Sequence, residues 1–142
     1  MKLKEIMTPS VVRIHPEETV DVAARMLTHY NIGALPVCDD QGRLVGMITD
    51  RDVVIRCVAS GHLPEKTHVR DIMTGRVVCG SPEMDTGVAA HLMGREQVRR
   101  LPVVEQGRLC GMVSVGDLAC IDETNYDAAE ALGGICTNLL EK

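Results

Sequence analysis

The sequence predicts an α+β domain made of two β-α-β-β-α repeats packed about a pseudo-twofold axis. Three observations carry that prediction. Residues 3–53 and 69–118 align as two copies of one unit, the apolar spacing in each copy changes from helical to strand period, and neither copy is long enough to bury a full core alone. Glu5-Ile6-Met7-Thr8 stands opposite Asp71-Ile72-Met73-Thr74, Val22-Ala23-Ala24 opposite Val88-Ala89-Ala90, and Leu35-Pro36-Val37 opposite Leu101-Pro102-Val103. Gln41-Gly42-Arg43-Leu44 then meets Gln106-Gly107-Arg108-Leu109, and Asp52 meets Asp117. The offset is 66 residues through Val37/Val103 and 65 after one residue drops out near Asp40, with about 20 of roughly 50 pairs identical. A pseudo-twofold axis between such copies creates paired clefts.

The elements follow in the same order in each copy. A short apolar segment (Val11–Ile14, Val77–Cys79) runs into Pro16 or Pro82, which breaks regular structure. Thr19 and Asp85 are equivalent helix N-caps. Val20, Ala23, Ala24 and Leu27 share one face of the helix that follows, as Val88, Leu92 and Met93 do in the second copy. Two strands come next, Ala34–Cys38 with Leu44–Ile48 and Leu101–Val104 with Leu109–Val113, joined by turns holding Gly42 or Gly107. A second helix starts after Thr49 and after Ser114. The organisation is therefore repeat 1 over residues 1–60, a connecting loop over 61–68 marked by Gly61 and Pro64, repeat 2 over 69–122, and a helical tail over 123–142. In the tail, Leu132, Ile135 and Leu139 fall on one apolar face, and Gly133-Gly134 is expected to interrupt the helix.

Composition bounds the function. Among 142 residues 45% are apolar, yet there is no Phe or Trp and only Tyr30 and Tyr126, so the core is aliphatic. A net charge of −5 and the shortage of stacking aromatics argue against nucleic acid as a partner. No apolar run approaches the roughly 18 residues that cross a membrane, and the opening Met1–Ile6 lacks the apolar stretch of a signal peptide. A cytoplasmic location is expected. The six cysteines show no Cys-x-x-Cys spacing, and Cys38, Cys79 and Cys110 lie in strand-like runs where a thiol acts as a small hydrophobe. Cys57, His62, His68 and Cys120 match no metal-ligand spacing. His15, His29 and His91 have no acid partner in register and are expected at the surface. With no catalytic triad, Cys-His pair or Gly-rich phosphate loop, an enzyme is not expected.

The ordered set of motifs resembles the cystathionine-β-synthase (CBS) domain, present twice as a Bateman module. It comprises Ile-Met-Thr, Val-Val, Leu-Pro-Val, then Gly-Met-Ile-Thr-Asp-Arg-Asp in one copy and Gly-Met-Val-Ser-Val-Gly-Asp in the other. The resemblance runs from residue 3 to about 120 and is nearest to small stand-alone bacterial CBS-pair proteins. It implies a regulatory module that senses AMP, ADP, ATP or S-adenosylmethionine in the cleft between two repeats, with no cofactor beyond such a ligand. Asp52 and Asp117 hold the family position that accepts hydrogen bonds from the ribose hydroxyls. Thr49 and Ser114 supply a hydroxyl beside helix-start amides that favour phosphate. The resemblance also implies that adenine would lie against Leu35-Pro36 and Leu101-Pro102 and be read by backbone near Val12 and Val78. Arg99 and Arg100 reach phosphate, where the first copy has only Gly33 and Ala34, so phosphate binding is expected to be lopsided.

Thr-x-x-Asp and Ser-x-x-Asp at a helix start are also close to a capping box, and capping and ribose contact are compatible roles. Bateman modules commonly pair as homodimers, with Met26 and Met93 as candidates for the surface between copies. An unidentified protein partner would receive the signal. The alternative function is a nucleotide-free dimeric scaffold.

Overall fold

The computed structural model describes residues 1–121 and 124–140, with side chains through residue 137. In chain order the elements are α1 (Leu3–Ile6), α2 (Val20–Tyr30), β1 (Ala34–Cys38), β2 (Leu44–Thr49), α3 (Asp50–Asp52), a π-helical turn (Val53–Val58) and a 3₁₀ turn (Pro64–Lys66). Then come α4 (Val69–Ile72), α5 (Thr86–Glu96), β3 (Arg100–Glu105), β4 (Arg108–Ser114), α6 (Val115–Ala119) and α7 (Asn125–Leu140). The mixed α+β class holds, with two small antiparallel sheets, β1–β2 and β3–β4. The expected leading strands do not form. Val11–Ile14 and Val77–Cys79 make no ladder, and what remains is a single parallel bridge in each case, Ile14 to Val37 and Gly80 to Val103. Pro16 and Pro82 lie two residues beyond those bridges and have no N–H to continue the pairing.

The chain separates into two compact units that do not follow the repeat boundaries. The first unit is Val12–Val77; the second is Met1–Val11 together with Val78–Lys142. Each unit thus takes its opening Ile-Met-Thr segment from the other repeat, and it holds that segment by the same bonds. In the second unit the Leu3 amide donates to the Met84 carbonyl (2.9 Å) and the Lys4 amide to Pro82 (3.0 Å). In the first unit Val69 donates to Glu18 (2.8 Å) and Arg70 to Pro16 (3.0 Å). Thr8 and Met112 exchange both backbone hydrogen bonds, as Thr74 and Met47 do. Lys4 pairs with Glu83 at 2.6 Å, and Arg70 pairs with Glu17 at the equivalent place. Both pairs are exposed and contribute little stability individually.

Glycine makes the close approach feasible. A Cβ on Gly46 would stand 2.6 Å from the Met73 sulfur and 2.9 Å from the Thr74 carbonyl oxygen, and one on Gly111 would overlap the Met7 side chain. Each methionine lies flat on the strand because the glycine beneath it has no side chain. The hairpins then differ by one residue. Gln106 and Gly107, both at positive φ, make a two-residue turn between β3 and β4. The first hairpin keeps the additional residue, and Asp39 Oδ1 accepts the Gln41 and Arg43 amides to close it.

Each unit has its own aliphatic core. In the first, Val20, Ala23 and Leu27 of α2 pack with Leu35, Val37, Ile48, Cys57, Val69 and Ile72. In the second, Leu3, Ala89, Ala90, Met93, Leu101, Val103, Val113 and Leu118 pack with Ala128 and Ala131 of α7. The buried face of α5 is therefore Ala89, Ala90 and Met93. Val88, expected inside, is 58% exposed.

The tail explains this. Helix α7 continues through Gly133-Gly134 instead of breaking, because Gly134 meets Gly94 of α5 backbone to backbone, where a Cβ would come within 2.6 Å of the Gly94 Cα. Its buried residues are Ala128, Ala131 and Ile135. Leu132 is exposed, and Leu139 lies outside the described side chains. By covering α5, the tail leaves Met93 with no accessible surface, so Met93 is not available to a second copy.

The two glycines should respond differently to the same change. Gly46→Ala drives its new methyl into a backbone carbonyl and should cost about 1–3 kcal/mol, the range for overpacking. Gly111→Ala meets the Met7 side chain first, a chain with rotatable bonds rather than a backbone carbonyl, and should cost less. Urea melts of the two variants check this; equal losses would contradict the packing described.

Candidate functional site

The sequence-derived site residues divide cleanly between the units. Val12, Leu35, Pro36, Thr49 and Asp52 fall in the first; Val78, Arg99, Arg100, Leu101, Pro102, Ser114 and Asp117 fall in the second. Within each unit a strand pair delivers them to the start of a short helix. Antiparallel pairing sets Ala34 opposite Thr49 and Arg100 opposite Ser114. Directly opposed residues lie about 4.5–5.5 Å apart at their Cα atoms, so Arg100 stands beside the first turn of α6. The Val115 amide donates to the Arg99 carbonyl and the Asp50 amide to the Gly33 carbonyl, each at 3.0 Å, which fixes those loops against the helix start.

Both hydroxyl–carboxylate pairs form reciprocal caps. The Thr49 hydroxyl accepts the Asp52 amide at 3.0 Å while Asp52 Oδ2 accepts the Thr49 amide at 3.1 Å. The Ser114 hydroxyl accepts the Asp117 amide at 3.1 Å while Asp117 Oδ2 accepts the Ser114 amide at 2.8 Å. Asp takes the place of the longer Glu of the usual capping box in both units. The caps use one carboxylate oxygen each. The hydroxyls are occupied as acceptors, so Thr49 and Ser114 are structural before they are anything else.

Beyond the caps the two acids differ. Asp52 is 7% exposed. The Arg56 Nε lies 3.6 Å from its Oδ1, and the Thr74 hydroxyl donates to both of its oxygens at 3.4–3.5 Å. Asp117 is half-buried, and Ile121 stands where the equivalent of Arg56 would be. Arg99 and Arg100 are both exposed. At the matching positions of the first unit, Gly33 lies against the carboxylate of Asp50, 3.5 Å from where a Cβ would sit. Arg56 and Thr74, which contact Asp52, and Asp50, which lies against Gly33, are neighbours of the candidate site that sequence reasoning missed. An Asp-x-x-x-Arg pair on a helix is a visible signal, and its loss to Ile121 in the second copy is visible as well.

The apolar wall residues are less accessible than expected. Leu35 and Leu101 have no exposed surface and belong to the two cores, and Pro36 and Pro102 are buried beside them. The Pro36 and Pro102 carbonyls accept the Ile14 and Gly80 amides. Val12 and Val78 are half-buried, each two residues ahead of its parallel bridge and packed on its own core.

The other titratable candidates resolve differently from expectation. His15 Nε2 lies 2.9 Å from Asp40 and His91 Nδ1 lies 3.6 Å from Glu130, so both have acid partners. Cys79 is exposed and outside any strand, while Cys38 is buried and Cys110 half-buried. Burial pushes the Cys38 and Cys110 thiols up, so both are protonated at neutral pH. The Cys57 thiol donates to the His62 carbonyl at 3.5 Å. Among the described residues no group of three or more His, Cys, Asp or Glu is placed to hold a metal, and no helix is long and apolar enough to cross a membrane.

Comparison with known proteins gives the same arrangement a family. The CBS domain model matches residues 3–58 and 69–121. The chain is similar to the CBS domain-containing protein YhcV of Bacillus subtilis, 41% identical over 133 residues that span 94% of both chains. Among solved structures it is similar to Hypoxic Response Protein I, a structure with two coordinated zinc ions, at 33% identity and a TM-score of 0.78, covering 84% of this chain and 98% of that one. It is also similar to a CBS domain pair solved in complex with 5′-methylthioadenosine and S-adenosyl-L-methionine, at 27% identity and a TM-score of 0.74, covering 84% of this chain and 94% of that one. CBS pairs are regulatory ligand-binding modules, and this chain, with its two matched repeats, belongs to the CBS domain family.

Proposed function

We propose that this chain is a sensor of adenine nucleotides, binding AMP, ADP, ATP or S-adenosylmethionine and passing the occupied state to another protein. The observation that carries the reading is the set assembled in the second unit. Strand register puts Arg100 beside Ser114, Arg99 is tied to the first turn of α6, and Asp117 caps that turn with one oxygen while remaining half-exposed. A carboxylate with a spare oxygen accepts a ribose hydroxyl in a charge-assisted bond, and two exposed guanidinium groups take phosphate bidentately. Helix α6 is only five residues long, so the arginines, not a helix dipole, carry the phosphate. The solved relative that holds two adenosine-containing ligands supports the ligand class. The first unit presents the same acid and hydroxyl, Asp52 and Thr49, without an arginine pair.

A second reading, a nucleotide-free dimeric scaffold, is favoured by one observation. Val54, Ile55 and Val58 project from the π-helical turn at 58%, 43% and 59% exposure. Clustered exposed aliphatic side chains mark an interface more often than a free surface. Homodimer formation fits the sensor and the scaffold alike, with this turn and the half-buried Met26 as its candidate surface.

Calorimetry separates the readings. The wild-type chain should bind AMP or ATP, and Asp117→Ala should weaken binding ten- to a hundred-fold, matching loss of a charge-assisted bond of about 1.5–3 kcal/mol. Arg100→Ala should weaken AMP and ATP more than adenosine. Unchanged affinity in both variants would remove this site assignment, and no binding of any adenosine ligand at millimolar concentration would leave the scaffold. Sedimentation at tens of micromolar should give twice the 15.4 kDa chain mass. Val58→Asp should shift it towards monomer, and a wild-type monomer would contradict the dimer.

A further inference from the structure

We infer that Arg56 is a built-in competitor for the Asp52 carboxylate, so that the first unit stays closed to nucleotide and each chain binds one, in its second unit. The inference rests on the nucleotide reading above and asks which of the duplicated sites is open. Asp52 has two oxygens, and both are committed. Oδ2 accepts the Thr49 amide at 3.1 Å, and Oδ1 faces the Arg56 Nε at 3.6 Å. The Thr74 hydroxyl closes over both at 3.4–3.5 Å, and the carboxylate is left 7% exposed.

Arg56 is itself anchored. Its Nη1 donates to the carbonyls of Ile72 (3.3 Å) and Met73 (3.2 Å), the segment that enters this unit from the other repeat. A ribose hydroxyl is a neutral donor. To reach Oδ1 it must displace a charged one, and the displaced guanidinium leaves two backbone carbonyls without their partner. The exchange is unfavourable, because it gives up an ion pair for a neutral donor and takes Arg56 off two carbonyls, one of them part-buried.

The second unit keeps the cap on Oδ2 and lacks the rest of this device. Ile121 replaces Arg56, Asp117 is half-exposed, and Thr8, the counterpart of Thr74, is exposed. The rims differ in the same direction. Arg99 and Arg100 are matched in the first unit by Gly33 and Ala34, and Val115 is matched by Asp50, whose carboxylate lies against Gly33. The first unit's rim therefore carries a carboxylate where the second carries two arginines.

Counting ligand per chain tests this. Equilibrium dialysis with AMP should give one site per wild-type chain and two in Arg56→Ala. The new site should bind adenosine within a few-fold of AMP, since no arginine pair serves it. Arg56→Met, which keeps the apolar stem, should behave alike if the alanine variant melts early, and circular dichroism confirms that each variant is folded. Two sites per wild-type chain would overturn the inference and leave the nucleotide reading standing. One site in wild type and still one in a folded Arg56 variant would overturn it as well. Dialysis is repeated with ADP, ATP and S-adenosylmethionine, and binding of none of the four by wild type or by either variant would remove the nucleotide reading itself, and this inference with it.

Discussion

The rest of the structure depends on the contact between a methionine and a strand glycine, made once in each unit. A two-stranded hairpin is marginal by itself, and among the described residues each unit has only one. Its edges are completed from outside the hairpin. One edge receives a single parallel bridge from the segment after Val12 or Val78; the other receives the Ile-Met-Thr segment of the opposite repeat. Met73 can lie on β2, and Met7 on β4, only where Gly46 and Gly111 leave the strand bare. Because the segments are exchanged, neither repeat owns a complete unit. Each unit therefore contains sequence from both repeats.

Duplication then allowed divergence around an unchanged frame. The capping pairs Thr49/Asp52 and Ser114/Asp117 retain nearly the same bond lengths, as do the anchors of the exchanged segments. What changed is the electrostatic dressing: Gly33 against Arg99, Asp50 against Val115, and Arg56 against Ile121. The tail adds a further difference. Helix α7 covers α5 through the Gly94–Gly134 approach, so α5 became an internal helix of its unit.

Most of the frame was legible because it is written twice. The helices, the hairpins and their turn glycines could be aligned copy against copy, and a coincidence in one copy would not recur in the other. The capping role of Asp52 and Asp117 was also legible from spacing. The misreadings share a cause, in that each concerned a residue whose environment comes from elsewhere in the chain. Met93 and Val88 exchanged roles because α7 lies outside the repeat. The helix ran through Gly133-Gly134 because two glycines pack backbone to backbone, a contact no local propensity records. The short Val11–Ile14 segment was apolar enough for a strand, but strand length is set by available partners, and Val37 offered one bridge. Arg56 lies four residues past Asp52, where the shared motif has ended and the copies begin to differ.

The central claim is that one duplicated frame carries one open and one self-occupied site. Crystals soaked in AMP test it most directly. The expected density is a nucleotide with its ribose on Asp117 and its phosphate on Arg99 and Arg100, with Arg56 still on Asp52 in the same molecule. Nucleotide on Asp52 with Arg56 swung aside, or an empty second unit, would contradict it.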